Sequence, residues 1–364
     1  MGKTTKDFRR IVVEDIPLID VRAPVEFAAG AFPNAVNLPL MNDEERRLVG
    51  ICYKQKGQAS AIELGHELVC GPIKASRIAA WKSFMEEHPS ALIYCFRGGM
   101  RSQLSQQWAE EAVGGRDIQR LEGGCKAFRN YLIGHLDPAH LNSKPIVLGG
   151  RTGSGKTLLL QQLGNVVDLE AIANHRGSSF GRFINPQPTQ IDFENGLAWA
   201  LIQHEAAGHR HMVVEDEGRH VGQCYLPDPL VEHFNAADVV LLETPLTERV
   251  QITFDEYVTS AQALFSQAYG EDGLLQWLED IRGSVQRIRK RLGGERLKRV
   301  NQLLQDAYDH QLATGEADAH KNWAELLLVE YYDPMYDYQL EQKRKKIVFQ
   351  GNAEEVFHFI TTLG

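Results

Sequence analysis

Nowhere in the 364 residues does an apolar run approach the roughly 18 positions that a membrane-spanning helix needs. The first ten residues, MGKTTKDFRR, are charged but lead into no apolar h-region, and Lys6 stands where a myristoylation signal carries Ser or Thr. Cysteine is sparse: five residues, an odd number, and no CxxC pair. A disulfide framework is therefore not expected in a chain with a core of its own. There is no internal repeat, no low-complexity tract and no zinc helix, since His204, His209 and His211 miss the HExxH spacing by one residue. No metal site is assigned. These absences point to a cytoplasmic, reducing location with no membrane partner, and a monomer is expected.

Basic charge is also short. Lys and Arg number 39 against 48 Asp and Glu, a formal charge of −9, which taken whole argues against a chain coated to bind nucleic acid. The distribution is uneven. Residues 1–140 and 281–364 are almost neutral, and the acidic excess lies in 141–280. Within 282–299 the residues Arg282, Arg287, Arg289, Lys290, Arg291, Arg296, Lys298 and Arg299 face a single acid, Glu295. They lie mostly off the apolar stripe Trp277, Ile281, Val285, Ile288, Leu292, which leaves them a solvent face for a phosphate backbone. A shorter basic run, Lys343 to Lys346, follows.

At this length two or three domains are expected. The patterns predict α/β architecture: a parallel-sheet domain over 1–138, a phosphate-loop α/β domain over 139–254, a helical region over 255–342, and a terminal strand and helix over 343–364 that complete the second sheet. In the first part IPLID, AVNLPL, ALIYCF and IQRLEGG read as strands, alternating with helical segments such as 76–88 and 102–113. In the second, PIVLGG, VVDLE, HMVVED and ADVVLLE read as strands. The polar stretch HLDPAHLNSKP marks the boundary.

Two motifs carry chemistry. Gly150-Arg151-Thr152-Gly153-Ser154-Gly155-Lys156-Thr157 matches GxxxxGK[ST] between a strand and a helix. The glycines let backbone N–H groups turn inward, Lys156 supplies a mobile cation, and Thr157 suits Mg²⁺ if a metal is present. The motif indicates a bound phosphate group without naming ATP. Glu215, Asp216 and Glu217 end a strand where they could reach a metal or position water; the structure is needed to separate this from solvated strand-end charge. The second motif is Cys95-Phe96-Arg97-Gly98-Gly99-Met100-Arg101-Ser102, again between strand and helix. Loop N–H groups, a helix start, Arg97 and Arg101 all favour a thiolate, so Cys95 is the expected nucleophile. Cys125, after Gly123-Gly124, is the one other cysteine with a basic neighbour that invites attention.

Cys-x5-Arg is also the spacing of cysteine phosphatases. The surrounding sequence, Ile19-Asp20-Val21-Arg22-Ala23-Pro24-Val25-Glu26-Phe27, Gly30 to Pro39 and Leu121-Glu122-Gly123-Gly124, resembles the rhodanese domain instead. A rhodanese-like domain joined to a phosphate-loop domain, with Asn174 to Gly181 and Tyr331 to Tyr336 between and beyond, is similar to the bacterial tRNA 2-selenouridine synthases. The resemblance implies a transferase that replaces sulfur by selenium in the 2-thiouridine at the wobble position of tRNA. Its co-substrates would be selenophosphate, from a possible supplier protein, and geranyl diphosphate. Cys95 would carry selenium as Cys–S–Se⁻, Arg97 and Arg101 would serve the anions, and the selenium would displace geranylthiol from the S-geranylated base. The phosphate loop would hold the diphosphate. Arg176, with His175 and Arg182, is expected to contact tRNA phosphate, and Tyr331, Tyr332 and Tyr336 to stack a base, line a prenyl pocket or pack internally. Two other readings remain open from the residues alone: a cysteine phosphatase fused to a phosphate-loop kinase, and a nucleotide-switched RNA-binding adaptor.

Overall fold

The structure, a computed structural model, describes residues 2–178, 180–181, 183–343 and 346–363. Ser179, Arg182, Arg344 and Lys345, which belong to motifs and basic runs noted above, lie outside the described residues. The chain forms two compact units, one of residues 1–140 with 189–207 and one of residues 141–188 with 208–364. No helix among the described residues is long and apolar enough to cross a membrane.

The first unit is built on strands β1 (Thr4–Thr5), β2 (Leu18–Asp20), β3 (Ala35–Asn37), β4 (Leu92–Tyr94) and β5 (Arg120–Leu121). They form one parallel sheet in the order β1-β5-β4-β2-β3. A parallel sheet is buried on both faces, and its strands read as unbroken apolar runs. Ile19, Val21, Ile93 and Cys95 join Trp81, Met85 and Trp108 in one core. Tyr94 and Phe128 pack on Phe32, with ring centroids 5.3 and 4.6 Å away. The strands are shorter than the sequence runs suggest because the chain leaves the sheet to form loops at the carboxyl ends, and Cys95 is the first residue past β4.

The segment 139–254 was expected as one α/β domain, and here the structure differs. Its helix Gln190–Ala207 belongs with the first unit. Trp199 packs near Phe128, Gln203 donates to the Val12 carbonyl, and Arg129 pairs with Glu194 and Asn195. The helix buries Phe193, Leu197, Ala198, Leu201 and Ile202. So broad an apolar surface requires a partner, and nothing in the local pattern says which.

The second unit holds β6 (Lys144–Gly149), β7 (His211–Glu215), a hairpin of β8 (His220–Val221) and β9 (Cys224–Tyr225), then β10 (Asp238–Leu242) and β11 (Ile347–Gly351). Its parallel sheet has the order β11-β10-β6-β7. From β6 the chain goes to one side for β7 and to the other for β10, so the order reverses beside β6. Ligands of open α/β sheets bind at the carboxyl ends of the strands next to such a reversal. VVDLE is not a strand: Val166 makes a single bridge to Val213, and Asp168 then caps the short helix Leu169–Ile172 by accepting from the Ala171 N–H at 2.7 Å. A capping carboxylate satisfies an orphan N–H and starts a helix where apolar content suggests a strand.

From Leu246 to Lys343 the chain is helical except at two breaks, Gly293 between the helices Gly273–Leu292 and Gly294–Thr314, and residues 315–317 after the second. Trp277, Ile281, Val285, Ile288 and Leu292 are buried with Trp323, Tyr331 and Tyr332 in one core. Two segments, Asp255–Ser260 and Leu328–Tyr332, are π-helical turns. Such a turn inserts one residue and re-aims its neighbours, and is concentrated at functional sites.

Candidate functional site

Cys95 is 3% exposed and lies in the loop between β4 and the helix Met100–Ala112. Its thiol donates to Ser102 Oγ at 3.2 Å, and the Ser102 hydroxyl donates to the Gly99 carbonyl at 3.0 Å. Ser102 stood in the motif but not among the expected site residues; its zero exposure inside a polar loop is a tertiary fact. The loop is backed by the closing segment of the domain. Cys125 N–H donates to the Cys95 carbonyl at 2.8 Å and Lys126 N–H to that of Phe96 at 2.9 Å. Gly124 has φ +61°, and a Cβ there would collide with the Cys95 carbonyl oxygen and the Gly98 nitrogen. The Gly123-Gly124 pair is thus a requirement of close backbone approach.

Of the two expected arginines, Arg97 is exposed over the Phe96 ring. Arg101 makes a bidentate pair with Glu26, at 2.6 and 3.2 Å. Burial pushes the Glu26 carboxyl up, but the Arg101 hydrogen bond and charge outweigh it and hold the carboxyl below its ordinary value. A second buried pair, Arg22 with Asp20 at 2.6 Å, fixes the start of the same loop cluster, and Arg22 also donates to the Gly30 carbonyl. Cys125 is buried, and burial pushes its thiol up despite the Arg22 charge.

In the second unit the phosphate loop lines a cavity of about 990 Å³. Gly153 and Gly155 adopt φ +76° and +85°, which a side chain would strain. Arg249 donates to the Thr152 carbonyl at 3.0 Å and Thr244 to that of Ser154 at 2.8 Å, so the loop is buttressed from behind. Lys156 folds back onto the Gly150 carbonyl at 2.8 Å. The helix after the loop covers only Lys156–Leu160. Its dipole is correspondingly slight, and anion affinity falls to the loop N–H groups and Lys156.

The strand-end acids separate. Glu215, expected to face a metal or water, is 3% exposed and accepts from the Leu169 N–H at 2.9 Å, so it fastens the Leu169–Ile172 helix to β7. Asp216 and Glu217 reach the cavity wall, together with Glu170 and Glu256. Burial pushes the carboxyls of Glu170, Glu217 and Glu256 above the usual range, while Lys156 pulls the other way.

With Met335, four tyrosines, Tyr257, Tyr331, Tyr332 and Tyr336, also line the cavity. Both π-helical turns contribute to it. The helix Asp333–Lys343 is tied to the phosphate loop by Arg249, whose two Nη atoms meet Asp333 at 3.0 and 2.6 Å, and by Arg151 with Asp337 at 2.7 Å. Arg176, expected on a tRNA surface, lines this cavity.

The basic stripe is mixed. Arg282 pairs with Glu279, and Arg296 and Arg299 both bracket Glu330. Arg287, Arg289, Lys290, Arg291 and Lys298 are exposed, and Arg291 also lines the cavity. Lys346 pairs with Asp238 at 2.7 Å.

A cysteine held in a loop after a central parallel strand, closed by a Gly-Gly turn, together with a phosphate loop at a strand-order reversal, defines a rhodanese-like domain joined to a phosphate-loop domain. Comparison agrees: a rhodanese-like domain family matches residues 4–131, and the family described as tRNA 2-selenouridine synthase AAA domain matches residues 143–363. The tRNA 2-selenouridine synthase of Sulfurovum sp. (strain NBC37-1) is 56% identical over 98% of this chain and 97% of its own length. Those of Hydrogenovibrio crunogenus and Marinobacter nauticus are 53% and 49% identical, over 99% and 97% of this chain and 99% and 96% of their own. The chain belongs to the tRNA 2-selenouridine synthase family.

Proposed function

We propose that this chain acts on tRNA bearing 2-thiouridine at the wobble position and exchanges the sulfur for selenium, with selenophosphate as selenium source and geranyl diphosphate as activating alkyl donor. A thiocarbonyl is a poor electrophile with a poor leaving group. Alkylation of its sulfur by geranyl diphosphate forms the C–S bond, breaks C–O, releases diphosphate and frees the N3 proton. The thioether so formed leaves as geranylthiol when selenium adds to C2.

In this division of labour the phosphate loop from Gly150 to Thr157 holds the leaving diphosphate, with Lys156 as cation. The expected Cys–S–Se⁻ species would need a two-electron oxidant, because selenophosphate carries selenium at the selenide level. The balanced step has the Cys95 thiolate take the phosphoryl group, forming S–P and breaking Se–P, so that selenide is freed to add to C2 and water then returns the thiol and phosphate. Arg97 and Arg101 serve the anions of that half-reaction. The basic face of the helix Gly273–Leu292 and its neighbour supplies contacts to the tRNA backbone.

The observation that carries this reading is the pairing of two chemistries in one chain of this family: a buried cysteine in a loop cradle, and a phosphate loop opening on a cavity with an aromatic wall. Mass spectrometry of tRNA nucleosides, after incubation with selenophosphate, geranyl diphosphate and dithiothreitol, tests it. Omitting geranyl diphosphate should leave 2-thiouridine unchanged, and omitting selenophosphate should leave the S-geranyl nucleoside. Selenation at an undiminished rate without any geranyl diphosphate would refute the role given to alkylation.

A further inference from the structure

The sequence groups Arg176 with residues for tRNA phosphate, and the structure sets it somewhere more specific. Its guanidinium lies over the Phe183 ring at 4.3 Å and over Tyr257 at 5.4 Å, and its Nε meets Glu256 at 2.7 Å. Stacking of this kind keeps a planar guanidinium in one orientation. Among the described residues neither Nη makes a hydrogen bond to protein, and Arg176 lines the same cavity as Lys156.

The surrounding motif explains itself as a support for this side chain. Arg176 N–H donates to the Gly181 carbonyl at 2.9 Å, and a Cβ on Gly181 would strike the Arg176 backbone at 2.6 Å. Gly177 has φ +44°, and a Cβ there would collide with the Glu170 and Glu217 carboxylates. Asn174, at φ +46°, donates to the carbonyls of Asn185 and Pro186 at 3.1 and 3.2 Å. Ser178 Oγ and Tyr257 OH are 2.9 Å apart. Tyr257 and Glu256, which hold the guanidinium, both sit on the π-helical turn Asp255–Ser260.

Charge gives the reason for such a device. The cavity wall carries Asp168, Glu170, Asp216, Glu217, Asp255 and Glu256 against Lys156, Arg176 and Arg291. An anion entering it meets more acid than base, and the helix behind the phosphate loop is too short to offset this. We propose that Arg176 is the second cationic contact for the ligand of the phosphate loop, clamping the diphosphate of a diphosphate ester together with Lys156. Glu256 holds Arg176 in place while the cavity is without its ligand, and the diphosphate replaces Glu256 as the partner. Burial favours the neutral Glu256 carboxyl, which makes that exchange easier. The inference rests on the preceding section only in that the phosphate loop takes a diphosphate; the source is a prenyl diphosphate or a nucleotide.

The test is calorimetric binding of inorganic pyrophosphate, geranyl diphosphate and ATP to the full chain, each with and without Mg²⁺. Arg176→Ala should weaken pyrophosphate at least tenfold. Arg176→Lys, which keeps charge but loses the planar stack, should fall between. Glu256→Gln should bind pyrophosphate more tightly than wild type, which no merely structural role for the pair would produce. If Arg176→Ala does not fold, Arg176→Lys and Glu256→Gln decide. The proposal is overturned if wild type does not bind pyrophosphate, or if these variants bind it as wild type does. It is equally overturned if Arg176→Lys leaves pyrophosphate untouched while weakening tRNA. With pyrophosphate weakened, an accompanying loss for ATP but not for geranyl diphosphate would remove the prenyl-donor reading and leave Arg176 as the clamp; an accompanying loss for geranyl diphosphate would support both.

Discussion

The N–H of Cys125 donates to the carbonyl of Cys95 at 2.8 Å, although thirty positions separate them in sequence. This bond and the contact at Gly124 make the closing segment of the first unit the floor of the Cys95 loop. The geometry of the Cys95 loop is therefore set partly at a distance, by backbone contacts that add to the Ser102 hydrogen bond.

Gly124→Ala should consequently act as a site mutation. A left-handed φ and a collision with the Cys95 carbonyl together should destabilise the protein by about 1–3 kcal/mol. The loop should shift as well. Thermal unfolding gives the first effect and selenium incorporation the second, and Gly134→Ala, in open space at the far end of the helix that Gly124 begins, is the control.

Cys95→Ser should abolish selenium incorporation while leaving the fold and S-geranylation intact. Ser102→Ala removes the acceptor of the buried thiol and should cost about 1–3 kcal/mol. Its selenation rate should fall with its melting temperature, whereas Cys95→Ser should lose selenation without a comparable loss of stability.

Lys156→Ala should abolish geranylation yet leave selenation of tRNA geranylated beforehand largely intact. Nucleoside mass spectrometry on both substrates measures this. Equal loss of both reactions in a folded protein would show that the phosphate loop does not serve the alkylation alone.

Arg249 is the post between the phosphate loop and the aromatic wall: its side chain is 4% exposed, and it reaches both Thr152 and Asp333. Removing one partner of a buried pair costs about 3–5 kcal/mol. Asp333→Asn should thus lower the urea midpoint, and it should weaken pyrophosphate through the Thr152 connection.

The Glu26–Arg101 pair predicts an acid limb. A carboxyl held below its ordinary value in the folded state binds fewer protons there than in the unfolded chain. Its stabilisation is complete above the unfolded value and is lost as pH falls through the folded one. Glu26→Gln should therefore be less stable than wild type at neutral pH, and the gap should close as pH drops below 4.5. Urea midpoints across that range measure it.

Local pattern was enough for much of this. The phosphate loop, the cysteine loop and the long apolar stripe from Trp277 to Leu292 are written in consecutive residues, because glycine, charge and helical spacing act over a few positions. VVDLE failed on the same scale: its apolar content read as strand, but Asp168 started a helix. The helix Gln190–Ala207 failed on a larger one, since its apolar surface demanded a partner that only folding could name.

By itself, then, the sequence determined the two motif loops of this protein, the cysteine loop after β4 and the GxxxxGK[ST] loop after β6, since each depends on short-range backbone geometry. It also determined the family, through motifs carried along nearly the whole chain. Tertiary structure decided what surrounds them. It turned Glu215 inward to Leu169, gave Arg101 to Glu26, and brought Arg176 from an apparent surface role to the phosphate-loop cavity. Each is a contact between segments far apart in the chain, where packing and desolvation choose the partner and no local spacing records the choice.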